Sequence, residues 1–346
     1  MNLYRRLMKQ NTIVSLLSFI NRIGFTLLVS VVGLMMQSTN IQPVQNCGMN
    51  GSQVDSVQYL KRLQQLANND TSGKWPVYPQ PYPLKGAILP YKRIVAFYGN
   101  LYSKKMGVLG KYTPDELWEK LNEEVQNWEQ ADSLTPVQPA LHYVAVVAQN
   151  NPMKDGQYRY RMPSNQIDSV LTIAQMGNAI VFLDIQPGHS TVNIEVPLLE
   201  AYLKMPNVHL GLDPEFSMKE GNVPGTVKGY VTAEDINFCT NYLSGLVKKY
   251  RLPPKVFVVH RFTQSMVRNC EQIQLYSEVQ IVINMDGWGR PGLKKSTYRD
   301  FIYQEPVQFT GFKLFYINDL KQPPFRMMRP EEILELKPKP IYIQYQ

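Results

Sequence analysis

From residue 93 onward, hydrophobic and polar positions alternate in blocks. Short apolar runs recur as RIVAFYG (93–99), HYVAVVA (142–148), AIVFLDI (179–185), VHLGLDP (208–214), KVFVVHRF (255–262), VQIVINMDG (279–287), GFKLFYIN (311–318) and IYIQYQ (341–346). They are apolar on both faces, as parallel strands buried between an inner core and covering helices should be. Helix-period stretches separate them. One opens with Thr113 as N-cap and Pro114 in the first turn and continues through Leu117, Leu121 and Val125 to Trp128. Others cover 166–176 and 192–203. A further one has Thr232 as N-cap with Asp235 at its third position, close to a capping box, and shorter ones begin near Thr263, Lys294 and Pro330. Eight strands alternating with seven helices over about 250 residues predict an α/β fold, a (β/α)8 TIM-like barrel over 91–346. The rival, an open doubly wound sheet, normally carries a glycine-rich phosphate loop after its first strand. Here that loop reads YGNLYSKKMGVLG, which is not GxGxxG and does not open a helix directly.

Ahead of the barrel the pattern changes twice. Val54, Val57, Leu60, Leu63 and Leu66 recur at three-residue steps and predict a helix over 54–66 that fills a gap in the helical ring or caps the barrel bottom. The stretch WPVYPQPYP (75–83) is extended, because proline removes donors and biases its neighbours away from helix. Its aromatics, Trp75, Tyr78 and Tyr82, suit packing across the main domain better than stacking on carbohydrate. Residues 41–90 thus read as a stalk, a short helix and a Pro-rich linker. In residues 1–40, Arg5, Arg6, Lys9 and Arg22 precede an apolar run over 23–36. That length suits a signal h-region, and with the run from Ile13 it spans a bilayer with tilt. No small-x-small cleavage site follows, and Cys47 lacks the residues that precede a lipid-modified cysteine. An uncleaved membrane anchor is the reading preferred over a cleaved signal peptide. Either way the positive flank stays in the cytoplasm and the body is exported.

Composition narrows the function classes. The chain is 44% hydrophobic and 18% charged with a net charge of +8, ordinary globular material. Its cations are scattered rather than striped with aromatics, which argues against nucleic acid and leaves an anionic polymer or membrane surface. The three cysteines, Cys47, Cys239 and Cys270, form no CxxC or Cys/His ligand spacing, so a structural zinc site is not expected. Cys239 and Cys270 read as buried thiols, with a disulfide between them left open.

The chemistry concentrates where the strands stop. Strand one ends in Tyr98 and Asn100, strand three in Asp184 and Gln186, strand four in Asp213 and Glu215. Strand five ends in His260, strand six in Asn284 and Asp286 followed by Trp288 between glycines, strand seven in Tyr316 and strand eight in Tyr345. A strand projects residues two apart to one face, and in a barrel the C-terminal ends converge on one mouth. The set predicts a polar pocket rimmed by aromatics, suited to a sugar chain. The reading that follows is an exported glycoside hydrolase-like enzyme acting on a polysaccharide or cell-envelope glycan. Glu215 is its general acid, with a pKa raised by Asp213, and Asp184 or Asp286 is nucleophile, base or oxocarbenium stabiliser. Tyr98, Asn100, Gln186, His260, Asn284, Trp288, Tyr316 and Tyr345 bind substrate. No cofactor is required. The alternatives are a non-catalytic anchored envelope protein that binds glycan or a protein partner, and a hydrolase using a divalent cation on Asp184, Asp213, Glu215 and His260. With one histidine expected near the mouth, that cation would be calcium or magnesium rather than zinc.

The segments FYGN…MGVLG, LDIQPG, LDPEF, VVHRF, DGWGRPG and the terminal QYQ resemble those of a family of uncharacterised exported bacterial proteins, some of them actinobacterial lipoproteins or cell-wall-associated. The resemblance covers about 92–346 and implies export and a barrel-like domain, with no reaction attached. More locally, Leu212-Asp213-Pro214-Glu215 is similar to the end of the DxxDxDxE strand-four motif of family 18 chitinases. The matching upstream stretch, NVHLG over 207–211, has none of the earlier aspartates.

Overall fold

The computed structural model describes residues 54–346. The anchor or signal expected over 1–40 and the stalk up to residue 53 lie outside the described residues. Among the described residues, no helix is long and apolar enough to cross a membrane.

Eight parallel strands close into a barrel. They are β1 (Arg93–Gly99), β2 (Val137–Ala148), β3 (Ile180–Ile185), β4 (Val208–Leu212), β5 (Lys255–Arg261), β6 (Val279–Met285), β7 (Phe309–Leu314) and β8 (Tyr342–Tyr345). Each pairs with its sequence neighbours, and β1 pairs with both β2 and β8, so that Ala96 lies opposite Ala140 on one side and Gln344 on the other. The short strand Arg159–Arg161 adds antiparallel to the outer end of β2.

The surrounding helices are α1 (Ser56–Ala67), α2 (Pro114–Ala131), α3 (Ser164–Met176), α4 (Val192–Leu198), α5 (Glu200–Leu203), α6 (Ala233–Tyr250), α7 (Pro291–Tyr298) and α8 (Pro330–Leu334). The starts of α2 and α6 are capping boxes, Thr113 with Glu116 and Thr232 with Asp235, as their spacing implies. Two helical expectations change. The stretch 192–203 divides at Leu199 into α4 and α5, with Pro197 inside the last turn of α4; a proline there cannot donate to the helical ladder. The segment from Thr263 forms only short 3-10 turns, Gln264–Met266 and Cys270–Gln272, and a two-residue pairing of Val231 and Thr232 with Val267 and Arg268. Its polar residues offer no apolar stripe to dock a helix.

Strand alternation divides the core in two. Outward residues such as Val95, Phe97, Leu183, Leu210, Phe257 and Ile343 pack with the helix residues Leu117, Leu121, Val170 and Leu243. Inward residues Ile94, Ala96, Phe182, Val256, Val258, Val282, Phe309 and Tyr342 form the lower interior, and Tyr59 and Leu63 of α1 join them. α1 therefore plugs the N-terminal end of the barrel rather than completing the helical ring. Asp55 caps its start through the amides of Val57 and Gln58, and Asn68 ties its end to the carbonyls of Leu334 and Leu336.

The Pro-rich stretch follows the same logic. Trp75 is buried and donates its indole N–H to the Tyr303 carbonyl at 3.0 Å, and Tyr82 meets Tyr59 edge-on with centroids 5.7 Å apart. Both are packing residues; Tyr78 is half-exposed. Cys239 and Cys270 are free thiols. Trp75→Ala is expected to lower the free energy of unfolding by about 3 kcal/mol, the lower part of the range for a buried aromatic. Denaturant titration measures it; a loss below experimental error would show that this segment does not clamp the barrel.

Candidate functional site

The C-terminal end of the barrel opens into a cavity of about 540 Å³, within the usual range for small-ligand sites. Its polar wall comprises Gln186, Asp213, Glu215, Lys228, Asp286 and Lys313, and its aromatic wall Tyr98, Phe216, Phe262, Trp288 and Phe315. The strand ends place these side chains by parity. Asp184 and Gln186 leave β3 on the inner face, but only Gln186 reaches the cavity; Asp184 lies one layer deeper and is fully buried. Asp213 ends β4 and caps the 3-10 turn Pro214–Phe216 by accepting from the Glu215 amide at 3.2 Å. That turn carries Glu215 half-buried into the cavity, where its carboxyl joins none of the ion pairs among the described residues. Gln186 links the two strand ends, accepting from the Ala148 amide at 3.1 Å and donating to Asp213 at 3.2 Å.

Asp286 is held hardest. Lys313 Nζ lies 2.9 Å from one of its oxygens and His260 Nδ1 3.1 Å from the other. Below, Asp184 Oδ1 lies 3.5 Å from His142 Nε2 and 3.8 Å from His260 Nε2, and Asp184 Oδ2 accepts from the Tyr98 hydroxyl at 3.2 Å. Lys313 Nζ also sits 3.8 Å above the Tyr98 ring. Gly211 of β4 makes room for this layer: a Cβ there would stand 2.5 Å from both Asp184 Oδ1 and His142 Nε2.

Burial and neighbours separate the acids. Burial pushes Asp213 up to about 8; Asp184, Asp286 and Glu215 add to the rise and His260 opposes it. Glu215 is also raised, by burial first and then by the charge of Asp286, whereas Asp213 was the neighbour expected to raise it. Burial acts to raise Asp286 too, but Lys313 and His260 outweigh it and hold the carboxyl at about 2. Asp184 is likewise lowered, burial being outweighed by His260, His142 and Lys313. Burial lowers His142 to about 4 against the opposing pull of Asp184. His260 is raised because Asp286 and Asp184 overcome its burial. Asp213, raised to about 8, and Asp286, held at about 2, therefore face one cavity in different protonation states near neutral pH, a separation that acid/base catalysis uses.

Several candidates lie elsewhere. Asn100 is buried in the β1 loop, donating to the Val144 carbonyl at 3.0 Å and accepting from the Tyr102 amide at 2.8 Å. Tyr345 points outward from β8, because Gln344 and Gln346 take the inward parity; its hydroxyl accepts from the Trp128 indole at 2.9 Å. Tyr316 stacks on Tyr345 and donates to Glu124 at 2.7 Å. Asn284 and His260 are fully buried beneath Asp286, 3.3 Å apart. Trp288 is on the rim, 48% exposed.

The residues that strand-end reasoning missed are His142 and Lys313. Strand β2 starts at Val137, ahead of its apolar run, so its inward polar residue His142 lies mid-strand. Lys313 had a readable signal, a lone lysine inside the apolar run GFKLFYIN, which is costly unless paired. The rim is pinned from outside. Lys294 Nζ bonds Asp319 at 2.8 Å and the Lys313 carbonyl at 2.7 Å, while Asp319 accepts from the Gly289 amide at 2.8 Å, which fixes the Trp288 loop to the end of β7. Buried Glu195 receives Arg159 at 2.8 Å and Arg161 at 2.7 Å, which fixes the loop after β3.

No protein-family model matches the chain, and no curated protein matches it. Among solved structures it is similar to Plasmodium falciparum HPPK-DHPS wild type with pteroate, at 10% identity and a TM-score of 0.33, over 84% of this chain and 51% of that one. The chain spans about half the length of that protein. A likeness at this level bears on neither substrate nor mechanism.

Because Asp213 rises from 3.8 to about 8 on folding, the folded chain keeps a proton that the unfolded chain has lost between those values. Its contribution to stability must fall as pH rises through that window, with a slope of at most about 1.4 kcal/mol per pH unit. Asp213→Asn removes this dependence. Urea midpoints at pH 5 and pH 8 are expected to show the variant gaining on the wild type at the higher pH. Parallel curves would place the raised acid elsewhere.

Proposed function

We propose that the barrel mouth is a glycoside hydrolase-like acid/base site acting on a polysaccharide or cell-envelope glycan. The observation that carries this reading is the pairing of unlike carboxyl groups on one aromatic-walled cavity, Glu215 without an ion-pair partner among the described residues and Asp286 fixed by Lys313 and His260. Glu215 gives its proton to the glycosidic oxygen as the C–O bond breaks. Asp286 supports the positive charge that develops at the anomeric carbon. Water then adds at that carbon and its proton returns to Glu215. Asp213, bonded to Gln186 and to the turn that carries Glu215, positions the acid. Trp288, Phe262 and Phe216 offer faces for sugar rings, and Lys228 suits an acidic sugar. Asp184 is no nucleophile in this scheme, since Tyr98 and the histidines enclose it. The local likeness of LDPE to the chitinase strand-four ending is consistent with Glu215 as acid. The basic-flanked apolar run over 23–36 supports an exported, anchored protein with its substrate outside the cytoplasm.

A panel of polysaccharides and envelope glycans offered to the purified protein tests this. On any glycan cleaved, Glu215→Gln is expected to lower kcat by about 10²–10⁴-fold, the usual weight of a general acid, with binding nearly unchanged. Trp288→Ala is expected to raise KM with a smaller change in kcat. Full activity of Glu215→Gln would remove the mechanism. Saturable glycan binding without cleavage by the wild type would favour a binding protein, which the half-exposed Trp288 also suits.

A further inference from the structure

Beneath the cavity floor lies a second constellation that acid/base chemistry does not use. We propose that His142 Nε2, His260 Nε2 and Asp184 Oδ1 bind a divalent transition-metal ion.

The three side chains come from β2, β5 and β3 and are fully buried. Among the described residues each presents an atom with no hydrogen-bond partner, and these are the atoms named. They converge: Asp184 Oδ1 is 3.5 Å from one nitrogen and 3.8 Å from the other, and the ligand atoms lie within 4.8 Å of one another. A triangle with those sides has a point equidistant from its corners at no more than about 2.4 Å, a few tenths beyond a zinc–nitrogen bond of about 2.0–2.1 Å. Buried polar atoms are rarely left unpaired, and three that converge on one point can be satisfied together by one cation. The glycine at position 211 keeps that point clear, since a Cβ would stand 2.5 Å from two of the three atoms.

The outer partners agree. Ligating imidazoles usually anchor their second nitrogen, which orients the ring and leaves the other lone pair for the metal. His142 Nδ1 lies 2.6 Å from the Tyr342 hydroxyl, which accepts from Gln344 at 2.9 Å; with a metal on Nε2, Nδ1–H donates to that same oxygen. His260 Nδ1 lies 3.1 Å from Asp286. The ring of His142 is stacked on Phe182, nearly parallel at 5.1 Å, and cannot turn freely. Two imidazoles and one carboxylate suit zinc, iron or manganese and disfavour calcium and magnesium, which take oxygen. This differs from a cation held by the cavity acids Asp213 and Glu215, and it does not depend on glycan cleavage. The competing account is a proton on His260 alone, drawing His142 and Asp184 together without a metal.

The full chain, stripped with a chelator, is titrated with Zn²⁺ and with Co²⁺ and followed by calorimetry, thermal melting and visible absorption. One equivalent is expected to bind, raise Tm and give the d–d bands of Co²⁺ in a nitrogen–oxygen site, while Ca²⁺ and Mg²⁺ leave Tm unchanged. Tyr342→Phe, which keeps shape and removes the anchor of His142, is expected to weaken binding about 10–100-fold. Glu215→Gln is expected to bind as the wild type does. His142→Gln should abolish binding; if it does not fold, Tyr342→Phe carries the comparison. Absence of stoichiometric binding by the wild type, or binding lost with Glu215→Gln and indifferent to Tyr342→Phe, overturns the site. Metal content is the readout, so an inactive but metal-loaded protein leaves this proposal standing while removing the hydrolase reading.

Discussion

A charge inside a barrel must find its counter-charge, and that constraint organises this one. Lys313 enters from β7, reaches Asp286, and through Asp286 engages His260, which faces Asp184. Lys313 and His260 hold Asp286 and Asp184 low in pKa, and the two carboxylates in turn raise His260. Remove one and its neighbour is left ionised without water. Breaking a buried pair in that way typically costs ~3–5 kcal/mol, more than an apolar replacement of the whole set would. Stability alone does not account for such a line. The lower half of the same interior is filled with Ile94, Phe182, Val256 and Val282 at no electrostatic cost.

The surroundings of the cluster are held by ion pairs. Three loops around the mouth are tied to buried charges outside the barrel: the Trp288 loop to Lys294 and Asp319, the loop after β3 to Glu195, and the loop after β5 to the pair of Arg261 and Glu305. Arg261 follows His260 in sequence but takes the outward parity. One strand end therefore supplies the inner cluster and an outer anchor in adjacent residues. Catalytic or ligating groups need their supports fixed to a fraction of an ångström, and this barrel fixes them with ion pairs that never touch the cavity.

The barrel itself was legible because eight apolar runs separated by helix-period segments have few other solutions. The mouth was legible in part, because period-two projection carries Gln186 and Asp286 inward once Asp184 and Asn284 are inward. What failed was the assumption that chemistry sits only where an apolar run stops. His142 stands where β2 begins to look apolar, and the bulge after Val144 shifts the parity of everything beyond it. Tyr345 is at a strand end, as expected, but parity turns it outward and gives the inward positions to Gln344 and Gln346. The Thr263 segment was read as helical where its polar composition gives only turns. The differences at His142 and Tyr345 concern where along a strand, and on which face, a polar residue lies; the difference at Thr263 concerns a segment with no apolar stripe.

The two layers of the site make different demands. The upper layer, Glu215 and Asp286 against Trp288 and Phe262, lines the open cavity. The lower layer, His142, Asp184 and His260, is fully buried, where a charge must be paired or neutralised. Asp286 belongs to both, since one oxygen meets Lys313 at the cavity wall and the other meets His260. Whatever occupies the point between His142, His260 and Asp184, a proton on His260 or a metal ion, sets the field that Asp286 feels through the imidazole ring. A dication there would draw electron density from His260, strengthen its Nδ1–H toward Asp286 and hold that carboxylate more firmly ionised. The buried layer is thereby a means of setting the charge of the exposed one, and the barrel interior carries polar residues at the depth where that coupling is possible.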